Sequence, residues 1–525
     1  MLKNTDSAAE IKALKVLVKE QGERIQERDE QIQKLEKLNE WYEKQLKLSR
    51  QRMFGASSEK STYTEQLNIF NEAEAEYTAI NVEPTVETIT YKRKKKKGDR
   101  EARLADLPVE IIEYTLPEAN QDCPKCGNAL HVMSKEIRKE LKIIPAKVSV
   151  VEHVSFVYAC RNCEKNETET PVITAHAPKA LVPKSLVSPC IMAYIMNQKF
   201  VNALPLYRQE QELKRMGILL SRQTLANWML KGASLLEPIV NKMHVGLLKK
   251  EVLHADETTL EVLCEPNRPA QTNSYMWIYR TSGCDVPIVL YDYQEGRSGS
   301  FAKEYLNGFK GYLHTDGWGG YHRLEGDVTL CGCWAHARRK FSEALLVLSN
   351  KDNSPETKGM NFCNALFEVE RRAAALSAKE RYELRQKESK PLTEEFFRWA
   401  EQKLGKTLPK SLLGTALQYA INQRKYLLSF LEDGRIELSN NRAERAVKPF
   451  VIGRKNWLFC NTPAGAKSSA IIYSIIETAK ENGLIPYEYL KYVFEQIQQG
   501  GVKNIDSLLP YSKEIPEHCK MKIFK

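Results

Sequence analysis

Glu251-Val-Leu-His-Ala-Asp256-Glu-Thr-Thr259 decides how this chain is read. An apolar run ends on a carboxylate, and the design returns at Gly311-Tyr-Leu-His-Thr-Asp316-Gly-Trp318. Both runs read as strands with an acid at their ends. Ser274-Tyr-Met-Trp-Ile-Tyr279 and Pro287-Ile-Val-Leu-Tyr-Asp-Tyr293 form an antiparallel pair between them. A short helix covers Ser300 to Leu306, and a helical turn lies near Tyr321. Val328-Thr-Leu-Cys-Gly-Cys333 is a further strand that leads into the helix Ala335-His-Ala-Arg-Arg-Lys-Phe341. Residues 350–432 are a charged helical insertion, after which the core resumes at Asn440.

The order β-β-β-α-β-α-β-α is that of a ribonuclease-H-like sheet, and a third acid follows the insertion in Asn440-Asn-Arg-Ala-Glu444-Arg445. Metal-dependent phosphoryl transfer needs two or three hard oxygen ligands to hold a pair of Mg²⁺ (or Mn²⁺) ions about 3.5–4 Å apart. Each acid also has an ordinary role. Asp256 and Asp316 suit turns at strand ends. Glu444 suits a helix-start pair with Asn441, or an ion pair one turn on with Lys448. Taken in order on one sheet, Asp256, Asp316 and Glu444 together point to catalysis. Arg442, Arg445, Lys448, Arg454 and Lys455 crowd around Glu444, with Trp457 and Phe459 close behind, as a DNA substrate requires. Cys333-Trp-Ala-His336 offers either a metal-binding pair or a histidine that supports the active site; a satisfied core histidine is the alternative.

The segments before the core read as separate modules. From 8 to 54, Ile11, Val18, Ile25, Ile32, Asn39, Leu46 and Met53 recur every seven positions. Leu14, Leu35 and Tyr42 lie on the companion seam, weakened by Gln21, Arg28 and Ser49. A coiled coil that makes the chain a homo-oligomer is expected, with a long solvated helix as the alternative. Residues 55–110 are a linker whose acidic part gives way to Lys92-Arg-Lys-Lys-Lys-Lys97, suited to DNA phosphates or to plain solvation. In 111–175, Cys123-x-x-Cys126 and Cys160-x-x-Cys163 stand 33 residues apart, the pattern of a four-thiolate structural Zn²⁺ ribbon, with a redox-active pair as the alternative that the duplication argues against. Lys142-Ile-Ile-Pro145 and Val148–Val154 read as strands between the two knuckles. In 180–245, Leu206–Leu213, a turn at Met216-Gly217 and a second helix capped by Ser221 resemble a helix-turn-helix. Arg222, Gln223 and Thr224 stand where base edges would be read. The catalytic region spans 249–490, and 491–525 is a C-terminal tail. The fold class is thus multidomain α+β, with an α/β catalytic core, a helical insertion and N-terminal modules.

At 525 residues the chain exceeds one ordinary core, and its 78 Lys and Arg against 67 Asp and Glu give +11, suited to a polyanionic partner. No window nears the roughly 18 apolar residues of a membrane span, and Met1-Leu-Lys-Asn-Thr-Asp6 lacks an apolar signal core. A cytoplasmic protein, nucleoid-associated when bound to DNA, is expected, with its 12 cysteines reduced or metal-bound.

The set of motifs resembles the DDE transposases of the insertion-sequence sixty-six family, over nearly the whole chain. The resemblance lies in the zipper-like start, Arg52-Met-Phe-Gly-Ala-Ser-Ser-Glu-Lys60 and the four-cysteine ribbon. It continues in His254-Ala-Asp256-Glu-Thr258, Asp316-Gly-Trp318 and Cys333-Trp-Ala-His336-Ala-Arg-Arg-Lys-Phe341. Asn440-Asn-Arg-Ala-Glu444-Arg445 and Ala479-Lys-Glu-Asn-Gly-Leu-Ile-Pro-Tyr-Glu-Tyr-Leu490 complete it. The resemblance implies a ribonuclease-H-like core with Asp256, Asp316 and Glu444 as its acidic triad. It also implies recognition of the element's ends by the N-terminal modules, and companion proteins from the same element. The expected activity is metal-dependent cleavage at transposon ends followed by 3′-hydroxyl strand transfer into target DNA. The alternatives are a DNA-binding or assembly protein without catalysis, and a nuclease of the same core that cuts but does not join.

Overall fold

A computed structural model of the chain describes residues 148–159, 172–175, 177–324, 326, 328–348, 352–500 and 504–522, with scattered positions between 18 and 46. The coordinates divide into two compact units. One holds Lys179–Glu210, Ser221–Lys520 and the N-terminal helical positions; the other holds Ile80–Pro178 and Gln211–Leu220. The four ribbon cysteines and the basic run at 92–97 lie outside the described residues.

In the second unit, β1 (Val157–Ala159) pairs antiparallel with β2 (Val172–Thr174). The strand expected at Val148–Val154 does not form, and Lys142–Pro145 lies outside the described residues. Val148, Val150, Val151 and Val154 are all exposed, and an apolar run becomes a strand only where a neighbouring edge accepts its hydrogen bonds.

In the first unit, the described positions from Val18 to Leu46 are helical. Val18, Ile25, Ile32, Leu35, Tyr42 and Leu46, the predicted seam residues among them, are each more than half exposed. Helix α1 (Pro189–Phe200) is followed by α2 (Leu206–Arg215) and α3 (Arg222–Leu248). Gly217, at φ 86°, makes the turn, and Ser221 caps α3 by accepting from the Thr224 N–H at 3.1 Å. Much of α3 is core, since Leu225, Trp228, Met229, Leu236 and Met243 are all buried.

The central sheet has five strands in the order β5-β4-β3-β6-β7: β3 (Val252–Glu261), β4 (Asn273–Thr281), β5 (Val289–Gln294), β6 (Gly311–His314) and β7 (Val328–Cys331). The first three form an antiparallel meander, and β6 and β7 add in parallel to the far side of β3. Helix α4 (Gly299–Tyr305) carries the chain across between β5 and β6, and a 3₁₀ turn at Gly319–Leu324 follows β6. Strand β3 runs five residues beyond Asp256, so this acid lies within a strand rather than at its end. Pairing with β4 continues to Glu261, while pairing with β6 stops at His254.

Helix α5 (Trp334–Leu346) leaves β7 and packs against the insertion, which is helical as expected: α6 (Pro355–Arg372), α7 (Ala378–Leu384), α8 (Lys390–Leu404), α9 (Leu412–Asn422) and α10 (Arg424–Leu427). Their shared core contains Trp334, Phe341, Phe396, Phe397 and Leu417. The chain then re-enters the sheet region as α11 (Asn441–Trp457), α12 (Pro463–Glu481) and α13 (Pro486–Gln498). Helix α12 covers the free edge of β5. Ser474 Oγ accepts from the Tyr291 N–H at 2.8 Å, and Thr478 Oγ1 accepts from the Val289 N–H at 2.9 Å. An edge strand covered in this way cannot template pairing with another chain. Among the described residues no helix is long and apolar enough to cross a membrane.

Candidate active site

One rung of the sheet organises the acids. His254, His314 and Cys331 are partners across β3, β6 and β7. Two residues beyond that rung on each segment stand Asp256, Asp316 and Cys333. The parallel register therefore delivers the first two acids side by side at the same end of the sheet. Beneath them the imidazoles of His254 and His314 stack, fully buried, 5.1 Å apart. His254 Nδ1 bonds Asn440 Oδ1 at 2.9 Å and His314 Nε2 bonds the Glu437 carbonyl at 2.9 Å. Their remaining ring nitrogens have no partner, and burial holds the two groups down at about 4 and about 3. Both are neutral at ordinary pH.

Asn440 brings in the third acid. Its side-chain amide donates to the Ala255 carbonyl at 2.8 Å, and its backbone N–H donates to Cys333 Sγ at 3.1 Å. The start of α11 is thereby tied to β3 and to the segment after β7. The helix-start pair expected between Asn441 and Glu444 is absent. The cap position belongs to Asn440, whose side chain is spent across the fold rather than on α11. Glu444 lies one turn into the helix and faces α5, with Oε2 3.4 Å from Arg339 Nη2 and Oε1 3.8 Å from His336 Nε2.

The charges converge. The Asp256 carboxyl is pushed well above the usual carboxylate range by burial first, then by Glu257 and Asp316, and also by Glu444. Its one partner is the Glu257 N–H at 2.8 Å, with no cation among the described residues. Asp316 Oδ1 accepts from the Trp318 N–H at 2.9 Å, and its carbonyl accepts from Tyr419 Oη at 3.2 Å, so α9 of the insertion reaches the site. Glu257, its side chain 1% exposed, is held by Tyr321 Oη at 2.6 Å and by Arg297 Nη2 at 2.5 Å. Arg297 also stands 3.9 Å from Asp316 Oδ2 and 4.5 Å over the Trp318 ring.

A buried carboxyl at Asp256, held up by burial and by its acidic neighbours and without a cationic partner among the described residues, fits a divalent cation together with Asp316 and Glu444. The donors are hard oxygens, as Mg²⁺ or Mn²⁺ prefers. A second donor group, Cys333, His336 and Glu444, lies within 4.8 Å. The Cys333 thiol, however, is pushed up to about 12 by burial, and its sulfur already accepts the Asn440 N–H. Its sulfur ties the start of α11, while His336 stands 3.8 Å from Glu444 without a hydrogen bond between them.

The other predicted residues are distributed unevenly. Arg442 pairs with Glu437, and Arg454 bonds Thr258 Oγ1 and Thr259 Oγ1, each at 3.1 Å. Lys448 and Lys455 are exposed and Arg445 is half-buried. On α3, Thr224 is engaged in the cap, Gln223 donates to Asn227 at 3.3 Å, and the Arg222 side chain is exposed. Sequence reasoning missed Arg297, Glu257, Arg339, Tyr419 and the bridging role of Asn440. Of these, Glu257, Arg339 and Asn440 lie inside the quoted motifs, which was the available signal.

A family model described as Transposase IS66 family matches residues 184–468, a span that contains all three acids. Further models match beside it: zinc-finger binding domain of transposase IS66 over 120–164, IS66 C-terminal element over 474–511, and Transposase C of IS166 homeodomain over 41–112. The zinc-finger match supports a structural zinc, and the matched domains together support DNA binding. Uncharacterized protein y4qI of Sinorhizobium fredii (strain NBRC 101917 / NGR234) is 30% identical over 479 residues, which is 87% of this chain and 86% of the relative. Uncharacterized protein y4jD of the same strain is 30% identical over 425 residues, 77% of this chain and 81% of its own.

Proposed function

The chain belongs to the IS66 transposase family, and from that premise we propose that it is a DDE transposase with a ribonuclease-H-like core. In this reading it cleaves DNA at the ends of its element and joins the freed 3′-hydroxyl to a target strand. The observation that carries the reading is the common rung. Asp256 and Asp316 lie two residues beyond paired histidines, and the helix of Glu444 is bonded to the same strands through Asn440. Meander, parallel additions and strand order support the core assignment.

Asp256 and Asp316 would hold the divalent ions, with Glu444 completing the set. When bound, such ions clamp the attacking and leaving oxygens of a phosphodiester. The chain supplies orientation. The Trp318 N–H fixes the rotamer of Asp316, and Arg339 meets Glu444 Oε2 at 3.4 Å. Glu444 Oε1, buried without a hydrogen bond, is the atom available to take a proton from the attacking hydroxyl.

The exposed seam of the N-terminal helix supports self-association through a coiled coil, since apolar residues at helical spacing gain stability when a second copy covers them. DNA ends and target are the substrates, companion proteins of the element are the expected partners, and the cytoplasm is the compartment.

The purified chain, given Mg²⁺ or Mn²⁺ and a labelled duplex carrying an element end, should form strand-transfer products. Asp316→Asn should bind the same duplex and form none. Cleavage without joining would leave a nuclease, binding alone an assembly protein, and equal transfer by the variant would remove the assignment of Asp316.

A further inference from the structure

Two arginines flank the acids from opposite sides, each touching one member of the triad. Arg297 comes from the loop between β5 and α4, and Arg339 from the second turn of α5. Arg297 is anchored twice, by Glu257 at 2.5 Å and by stacking on Trp318, and the same Nη2 that meets Glu257 stands 3.9 Å from Asp316 Oδ2. Its Nη1 makes no hydrogen bond among the described residues, and the side chain is 38% exposed. Arg339 meets Glu444 at 3.4 Å, a loose contact for a guanidinium and a carboxylate, and its buried Nε has no partner.

A carboxylate oxygen that faces a guanidinium is a poorer ligand for a metal ion, because the two cations repel and compete for its lone pairs. A phosphodiester changes this balance. Arginine presents a planar fork of donors matched to phosphate, and both arginines are partly open to solvent. A strand laid across the site would engage the open Nη1 edge of Arg297 without breaking its bond to Glu257. It would also draw Arg339 from its loose contact with Glu444.

We infer that Arg297 and Arg339 are positioning residues that couple the two ligands: DNA phosphate takes the guanidinium charge, and Asp316 and Glu444 are released to the divalent ions. The inference rests on reading the three acids as metal ligands. Such coupling is reciprocal, so DNA tightens metal binding by the factor by which metal tightens DNA binding. The device raises metal occupancy of the active site when a strand is present.

The test is Mn²⁺ affinity, measured on the full chain by electron paramagnetic resonance with and without an uncleavable element-end duplex. Asp316→Asn supplies the background from ions bound elsewhere. Wild type should bind Mn²⁺ at least about fivefold more tightly with DNA than without it. Arg297→Gln with Arg339→Gln should bind Mn²⁺ more tightly than wild type in the absence of DNA, and should lose most of the gain on adding it. Lysine at both positions should restore part of the coupling, because it keeps charge without the fork. Arginine-to-glutamine variants that bind Mn²⁺ as wild type does, or more weakly, without DNA would overturn the inference. Wild-type binding no different from Asp316→Asn would instead overturn the metal assignment beneath it.

Discussion

Replacing Asn440 with alanine tests how the site is assembled. The side chain is fully buried and makes two bonds, one with His254 Nδ1 at 2.9 Å and one to the Ala255 carbonyl at 2.8 Å. Alanine leaves the His254 ring nitrogen and the Ala255 carbonyl without these partners. A buried polar group stripped of its partner costs about 1–3 kcal/mol, and His254 Nε2 is already unpartnered, so that ring has no second bond to fall back on. The Ala255 carbonyl is on the β6 side of β3, where pairing has already stopped, so it loses its partner too. A total of about 3 kcal/mol follows. With about 2.1 cal/mol/K of unfolding entropy per residue and a unit of roughly 300 residues, the melting temperature falls by about 5 °C.

The assay is thermal unfolding of the full-length protein followed by near-ultraviolet circular dichroism, which reports Trp277, Trp318 and Trp334 in this unit. A double cycle with His254→Ala should show non-additivity of about 1 kcal/mol, since the second substitution removes a bond that is already gone. Strand transfer should fall while binding of the element end persists, because Glu444 hangs on the helix that Asn440 starts. Unfolding within about 1 °C of wild type, or strictly additive substitutions, would refute the bridging role.

Other outcomes follow from the same geometry. His254 and His314 are held at about 4 and about 3, below the ordinary 6.5, so the unfolded chain binds more protons than the folded one at mild acidity. Stability is therefore full above about pH 6.5 and is lost as pH falls towards 4, by about 2 kcal/mol per histidine at pH 5. Asp256, whose carboxyl is raised, works in the opposite sense over that window. His314→Gln should flatten the profile by up to about 1.4 kcal/mol per pH unit, read by denaturant unfolding at several pH values. Gly299→Ala should cost about 1–3 kcal/mol and lower strand transfer, because a methyl there overlaps the Gly320 carbonyl in the turn after Trp318. Cys126→Ser should take the zinc content of the purified chain from about one ion to none, measured by elemental analysis.

Much of the catalytic region is legible because its signals are local. Alternation and β-branching mark β3 to β7, and the step from Cys333 into a helix is visible in Trp334–Phe341. The family, too, is legible in the quoted motifs, and the family models match on the same stretches. What joins those pieces is long-range. The rung that aligns Asp256 with Asp316 depends on the register of β3 with β6, which neither strand encodes alone. Asn440 sits at a helix start, where local logic assigns a cap, yet its partners lie 185 and 186 residues away. Arg442 and Arg454 look like DNA contacts by their neighbours in sequence, but Glu437 and the β3 threonines engage them once the chain is folded. The insertion reads only as charged helix; that Tyr419 reaches the Asp316 backbone depends on how α9 packs against α5. At Val148–Val154 composition alone misleads, because no strand among the described residues pairs with it.

The most direct measurement of the central claim is transposition itself. A marker gene is placed between the DNA ends that flank the coding sequence, with its neighbouring genes retained. New insertions are scored in cells that carry wild type, Asp256→Asn, Asp316→Asn or Glu444→Gln at equal protein level. Insertions with wild type and a loss of about a thousandfold or more with each variant are expected, since each removes a charge that serves the transition state. Any one variant transposing at the wild-type frequency would contradict the triad.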